Sequence, residues 1–156
     1  MNSNELNILL FKHNVTKFDF GGVYAQDKLP IKATFRAYIV NLDVSTMEGS
    51  HWVAIVFSKN NIKPAVYFDS YGFPPFYPNI LKFIERNSSN YVYNAIRLQS
   101  DNTFVCGQYC VIFIISMLRN ISLHNFQKSF CGDYLKNDKK IYNIVKNLVR
   151  HHLEFK

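Results

Sequence analysis

A few residues in this sequence have the types and spacing needed for acyl-transfer chemistry. Cys106 stands where a polar stretch, residues 99–105, gives way to the apolar run CGQYCVIFIISMLRN over residues 106–120. A loop-to-helix junction places a thiol at the positive end of the helix dipole, beside unpaired N–H groups. Both favour the thiolate, which is the reactive form. A cysteine picked without regard to its place is more often a core residue, and Cys110 and Cys131 fit that description better than Cys106 does.

His51 follows a polar loop, residues 43–50, and precedes the apolar stretch WVAIVFS, while Asp69 closes a second stretch, PAVYFD. If Lys59-Asn60-Asn61-Ile62 turns the chain, residues whose numbers sum to about 120 face each other across an antiparallel hairpin, and His51 and Asp69 meet that sum. A carboxylate there would fix the imidazole tautomer and stabilise the imidazolium. The plain alternative is a histidine and an aspartate at strand ends that face water. Gln99 lies seven residues before Cys106, in the loop that presents it. Its side-chain amide could join the Cys106 backbone N–H in holding an oxyanion. His13 and His124 stand alone near expected helix ends, and His151 and His152 fall on an amphipathic final segment. Cys106 and Cys110 could share a helix face, but no matching Cys/His pair has zinc-site spacing, so no metal is expected.

These residues need elements to position them. Residues 3–13 read as a short amphipathic helix, capped by Asn2 with Glu5 closing a capping box. Residues 15–33 read as loop, punctuated by Gly21-Gly22 and Pro30. Strands are expected over 35–42, 52–58, 64–69 and 91–98, from their β-branched and aromatic content. YGFPPFYP, residues 71–78, holds three prolines and cannot be regular. Helices are expected over 79–87, 106–120, 124–134 and 138–152. The helix over 106–120 is apolar nearly all round and should be buried, with Gly107 permitting close backbone approach. The order indicates an α+β fold, with a mixed or antiparallel central sheet packed on the buried helix that carries Cys106.

Bulk properties bound the reading. The 156 residues suit one domain, 1–156, and 48% hydrophobic content can fill its core. No segment is long and apolar enough to span a membrane, and the N-terminus lacks the features of a signal peptide. An intracellular, reducing setting is expected, and three cysteines do not make a disulfide scaffold. A net charge of +7 allows DNA contact, although the basic residues are scattered apart from Lys136–Lys140.

Taken together, Gly49-Ser50-His51-Trp52, Phe68-Asp69-Ser70-Tyr71-Gly72-Phe73, Gln99 and Cys106-Gly107-Gln108-Tyr109-Cys110 resemble the adenovirus-type (adenain-like) cysteine proteases. These stand with the proteases that process SUMO and other ubiquitin-like proteins. The seven-residue step from Gln99 to Cys106, the Tyr71-Gly72-Phe73 turn and the second cysteine at 110 favour the adenoviral branch. The compact length is similar to proteases of Polinton-type transposons and related viruses. The resemblance covers roughly residues 4–118. It implies an adenain-like fold and a thiol endopeptidase with His51, Asp69, Cys106 and Gln99 in the catalytic roles above. Trp52 would line a cleft narrow enough to admit only glycine beside the scissile bond. The implied substrates are virion precursor proteins cut after Gly in Gly-Gly-like sites. Removal of ubiquitin-like modifiers is the nearest alternative, and an inactive DNA- or capsid-binding derivative is another. The resemblance further implies a monomer of the virion or host nucleus with no bound cofactor, and stimulation by DNA. No cysteine precedes Cys106 to take a disulfide-linked activator, which leaves a noncovalent strand-adding peptide.

Overall fold

A computed structural model describes residues 1–153, so the last three residues of the expected domain lie outside it. The chain opens with helix α1, Ser3–Lys12, whose Asn2 and Glu5 form the expected reciprocal capping box at 2.9 Å in each direction. Strands β1 (Phe20–Ala25), β2 (Ala37–Asn41), β3 (Trp52–Val56) and β4 (Ala65–Phe68) follow. Then come helix α2 (Pro78–Asn87), strand β5 (Tyr91–Tyr93) and helices α3 (Cys106–Leu118), α4 (Leu123–Lys128) and α5 (Tyr134–Leu153).

The five strands form one mixed sheet in the order β1-β2-β3-β4-β5. Its centre, β2-β3-β4, is antiparallel, and both outer pairs are parallel. Alternation along β3 divides the core. Ala54 and Val56 face α1, α3 and α5 with Leu6, Leu9, Phe113 and Ile141, whereas Val53 and Ile55 face α2 with Tyr38, Tyr67, Ile80 and Phe83. Helix α3 is buried along nearly its whole length, and its Phe113 stacks on Phe68 of β4 with ring centroids 4.5 Å apart. Each such buried aromatic or aliphatic side chain contributes on the order of 1.5–3 kcal/mol through area removed from water. That burial fixes the helix, and therefore Cys106, against the sheet.

Several expectations are corrected. Residues 15–33 contain β1, not only loop. Its glycines suggested punctuation, yet at Gly21 a Cβ would run into the Tyr38 ring, so the glycine serves strand packing. The expected strand over 91–98 ends at Tyr93, because the Asn94 side chain turns the chain by bonding the Asp69 and Ile96 carbonyls. Helix α4 stops at Lys128, whereas α5 begins at Tyr134, earlier than expected. The β3–β4 register pairs Ala54 with Phe68 and Ile55 with Tyr67, so facing numbers sum to 122 rather than 120. A slip of two preserves which side each residue faces, which is why the His51–Asp69 expectation survives it. Cys110 is buried as expected, but Cys131 is exposed and is not a core residue.

Candidate active site

The site forms at one end of the sheet, where β3 begins, β4 ends and α3 starts. His51 is set by what precedes it. Its carbonyl accepts from Leu42 N–H at 3.0 Å, extending the β2–β3 ladder by one step. The 43–50 loop is drawn onto the buried Asn41, whose Oδ1 accepts from Asp43 N–H and Ser50 N–H. Gly49 turns here with φ of 93°, and a Cβ would meet the Asn41 amide.

His51 Nε2 lies 2.8 Å from Asp69 Oδ1. Asp69 is only 2% exposed, and the same oxygen accepts from Tyr71 N–H at 2.8 Å. Its backbone carbonyl accepts from the fully buried Asn94 amide. The carboxylate is therefore braced before it engages the imidazole. Tyr71 stacks on the His51 ring, with centroids 5.0 Å apart and planes 30° from parallel. Tyr71 lies beyond the end of β4, in the turn where Gly72 N–H donates to the Asp69 carbonyl, and that turn carries its ring to the imidazole.

The Cys106 thiol is close enough to the His51 imidazole for each to shift the pKa of the other. With Nε2 on Asp69, Nδ1 is the nitrogen left for sulfur. Burial alone would disfavour a charged imidazole, but the bonds to Asp69 and Cys106 outweigh it and raise the His51 pKa to about 9. Burial likewise opposes a Cys106 thiolate. The imidazole and the backbone N–H groups of Trp52 and Gly107 overcome it and lower the thiol pKa. The two shifts both act in favour of a thiolate–imidazolium pair. Cys110, one turn along α3, is pushed strongly the other way by complete burial. The two cysteines of one helix are thereby shifted in opposite directions, one toward the thiolate and one toward the thiol.

Gln99 is buried at 1% exposure in the segment between β5 and α3. Its Oε1 accepts from Ser70 Oγ at 2.7 Å, and its Nε2 donates to the Thr103 carbonyl at 2.9 Å. The Thr103 carbonyl can only accept, which fixes which end of the amide is which, and Nε2 also lies 3.4 Å from Thr103 Oγ1. Trp52 is half-buried at the start of β3. Its Nε1 donates to the Met1 carbonyl at 3.1 Å, and a Cβ on Gly107 would sit 3.3 Å from its Cδ1. Gly107 thus lets the first turn of α3 approach the indole.

The fold brings His51, Asp69 and Cys106 together and sets Gln99 against Ser70, the neighbour of Asp69. His124 and His151 are exposed on α4 and α5, His13 caps the end of α1, and the His152 side chain lies outside the description. Ser70 and Tyr71 stand in the sequence motif without a role assigned there, and Asn94 was not singled out at all. A polar residue interrupting an aromatic strand pattern was the available signal for Asn94.

No protein-family model matches the sequence, and no curated protein sequence matches it. Solved structures do. One crystal structure of ASFV pS273R protease superposes with a TM-score of 0.66 at 18% identity, covering 97% of this chain and 66% of that one. A selenomethionine structure of the same protease gives 0.53 at 25% identity, covering 78% and 45%. ChlaDub1 from Chlamydia trachomatis gives 0.54 at 16% identity, covering 98% and 79%. The fold is that of the SUMO-protease-like cysteine proteases. Within that fold, this chain spans less than two thirds of the pS273R chains.

Proposed function

We propose that this chain is a thiol peptidase that hydrolyses peptide or isopeptide bonds after glycine in Gly-Gly-like sites. The observation that carries the proposal is the joining of three side chains from three separate elements. Asp69 bonds His51 at 2.8 Å, and the interaction of the His51 imidazole with the Cys106 thiol lowers the thiol pKa.

In this reading the Cys106 thiolate attacks the carbonyl carbon. The negative charge passes to the carbonyl oxygen, which the Cys106 backbone N–H and the Gln99 amide would hold. His51, already protonated, gives its proton to the leaving amine as the tetrahedral intermediate collapses to a thioester. Water, deprotonated by His51, then releases the acid and restores the thiolate. Asp69 keeps the imidazole oriented throughout. Trp52, close against Gly107, would restrict the residues beside the scissile bond to glycine. Virion precursor proteins are the proposed substrates, and DNA and a noncovalent peptide the proposed activators.

A fluorogenic peptide ending in Gly-Gly, supplied to wild type and Cys106→Ala with and without DNA, tests the reading. Release by wild type alone is expected. Equal release by the variant would sink the assignment of Cys106. Ubiquitin and SUMO carrying the same fluorophore at their C-termini, run in parallel, separate isopeptidase from endopeptidase preference.

A further inference from the structure

Asp138 stands in the one dense basic run of the sequence, Lys136–Lys140, on a helix whose amphipathic pattern suggests a solvated face. The structure puts it elsewhere. Asp138 is 3% exposed and lies on the same stripe of α5 as Ile141 and Val145, which are buried in the core. A carboxylate on an apolar stripe is costly unless its lone pairs are met. Here they are met by three neutral donors. Oδ2 accepts from Ser100 N–H at 3.1 Å and from Thr103 Oγ1 at 2.7 Å, and Oδ1 accepts from the Tyr109 hydroxyl at 2.8 Å.

Two of the donors belong to the segment that holds Gln99, and the third to the first turn of the helix that begins at Cys106. Thr103 is also the residue whose carbonyl takes the Gln99 amide N–H. The adjacent Asn137, 2% exposed, reinforces the link by donating to the Leu98 carbonyl at 3.2 Å. The loop from Leu98 to Thr103 is thus fastened at both of its ends to α5, and through Tyr109 to α3.

We infer that Asp138 is a positioning residue, which sets the Gln99 amide relative to the Cys106 thiolate by tying the 98–103 loop to α3. It touches no reacting atom. The inference rests on the proposed oxyanion role of Gln99. An asparagine at 138 keeps the shape but offers one oxygen instead of two. Its NH2 group would then meet the Tyr109 hydroxyl, which must turn its hydrogen to the Leu98 carbonyl, so that bond is reversed and all three lose the support of the carboxylate charge. Loosening of an oxyanion donor should appear in kcat rather than in KM.

The experiment is a double-mutant cycle of Asp138→Asn and Gln99→Ala on Gly-Gly peptide cleavage, with the pH dependence of Cys106 alkylation by iodoacetamide measured alongside. Asp138→Asn is expected to lower kcat by about 10-fold or more with KM nearly unchanged. The alkylation profile should stay at the wild-type position, because His51 and Asp69 are held by the strands. On the Gln99→Ala background, Asp138→Asn should cost nothing further. If Gln99→Ala is impaired but Asp138→Asn is not, or if the two losses multiply, the positioning role is overturned and the oxyanion reading stands. If Gln99→Ala cleaves like wild type, the oxyanion reading falls and the inference with it. Should Asp138→Asn fail to fold, Tyr109→Phe removes the hydroxyl's bonds to Asp138 and the Leu98 carbonyl without touching Gln99, and is expected to show a smaller loss of the same kind. Wild-type kcat in that variant would overturn the inference.

Discussion

His51 and Asp69 lie at the ends of neighbouring strands joined by one hairpin, while Gln99 lies in a loop fastened by side chains from Ser70, Asn137 and Asp138. In the first region a backbone ladder carries the geometry, and most side-chain changes in β3 or β4 leave that ladder in place. In the second region Leu98 N–H and Gln99 N–H both donate to the Ser70 carbonyl, and beyond them individual polar side-chain atoms determine where the loop sits. A site of this kind has one partner pair that is insensitive to distant substitution and one donor that depends on residues far along the chain.

The strand-held region should be hardest to disturb except by removing its reacting groups. His51→Ala is expected to reduce cleavage by on the order of 10²–10⁴-fold, measured as kcat at saturating substrate. Loss of less than tenfold would mean that the imidazole is not the proton carrier. Asp69→Asn keeps the shape but removes the charge that supports the imidazolium. The wild-type rate should rise with pH as Cys106 ionises below its ordinary 9.0 and fall as His51 loses its proton near 9. In Asp69→Asn the alkaline limb should move to lower pH, and an unmoved limb would contradict the pairing.

The same shift has a stability consequence. His51 has a folded pKa raised above its unfolded 6.5, so its charged interactions stabilise the fold fully below pH 6.5 and fade as pH rises through about 9. The difference in unfolding midpoint between wild type and His51→Ala should therefore narrow across that window. A difference that stays constant would show that the imidazolium adds nothing to folding.

Smaller effects test the braces. Asn94→Ala leaves the Asp69 and Ile96 carbonyls without their buried donor and should destabilise by about 1–3 kcal/mol in denaturant titration. An unchanged midpoint would mean that water replaces the amide. Gly107→Ala is the mildest change. Alanine improves helix propensity by roughly 0.5–1 kcal/mol, but its methyl would stand 3.3 Å from Trp52 Cδ1 and press the indole outward. The expected result is near-neutral stability with a raised KM for Gly-Gly peptides, and an unaltered KM would remove Trp52 from the substrate cleft.

The difference between the regions also explains what could be read from the sequence. Hairpin arithmetic paired His51 with Asp69 because local pairing is regular, and even its error of two residues preserved the face. The loop-to-helix junction marked Cys106 because composition changes abruptly there. The geometry of Gln99 was not legible in the same way. Its Ser70 partner is 29 residues away, and the Asp138 that holds its loop is 38 residues beyond Ser100. No local period links such positions. The signal for Asp138 was present only as a carboxylate on the stripe that continues to Ile141 and Val145, and the surrounding lysines obscured it. Strand β1 was missed for a related reason. Gly21 answers to the ring of Tyr38 across the sheet, and nothing in its own neighbourhood announces that ring.

The sheet's mixed pairing bears on the order in which the molecule can assemble. Strands β2, β3 and β4 are consecutive and antiparallel, so their contacts close short loops, whereas β5 and the docking of α5 need longer closures. The expected folding sequence forms the central meander first, which seats the imidazole and its carboxylate before α3 and α5 complete the thiol's surroundings. During refolding the sulfur would then remain an ordinary, slowly alkylated thiol until late. Pulsed iodoacetamide labelling at successive refolding times reads this directly, and rapid labelling of Cys106 at the earliest times would refute the order.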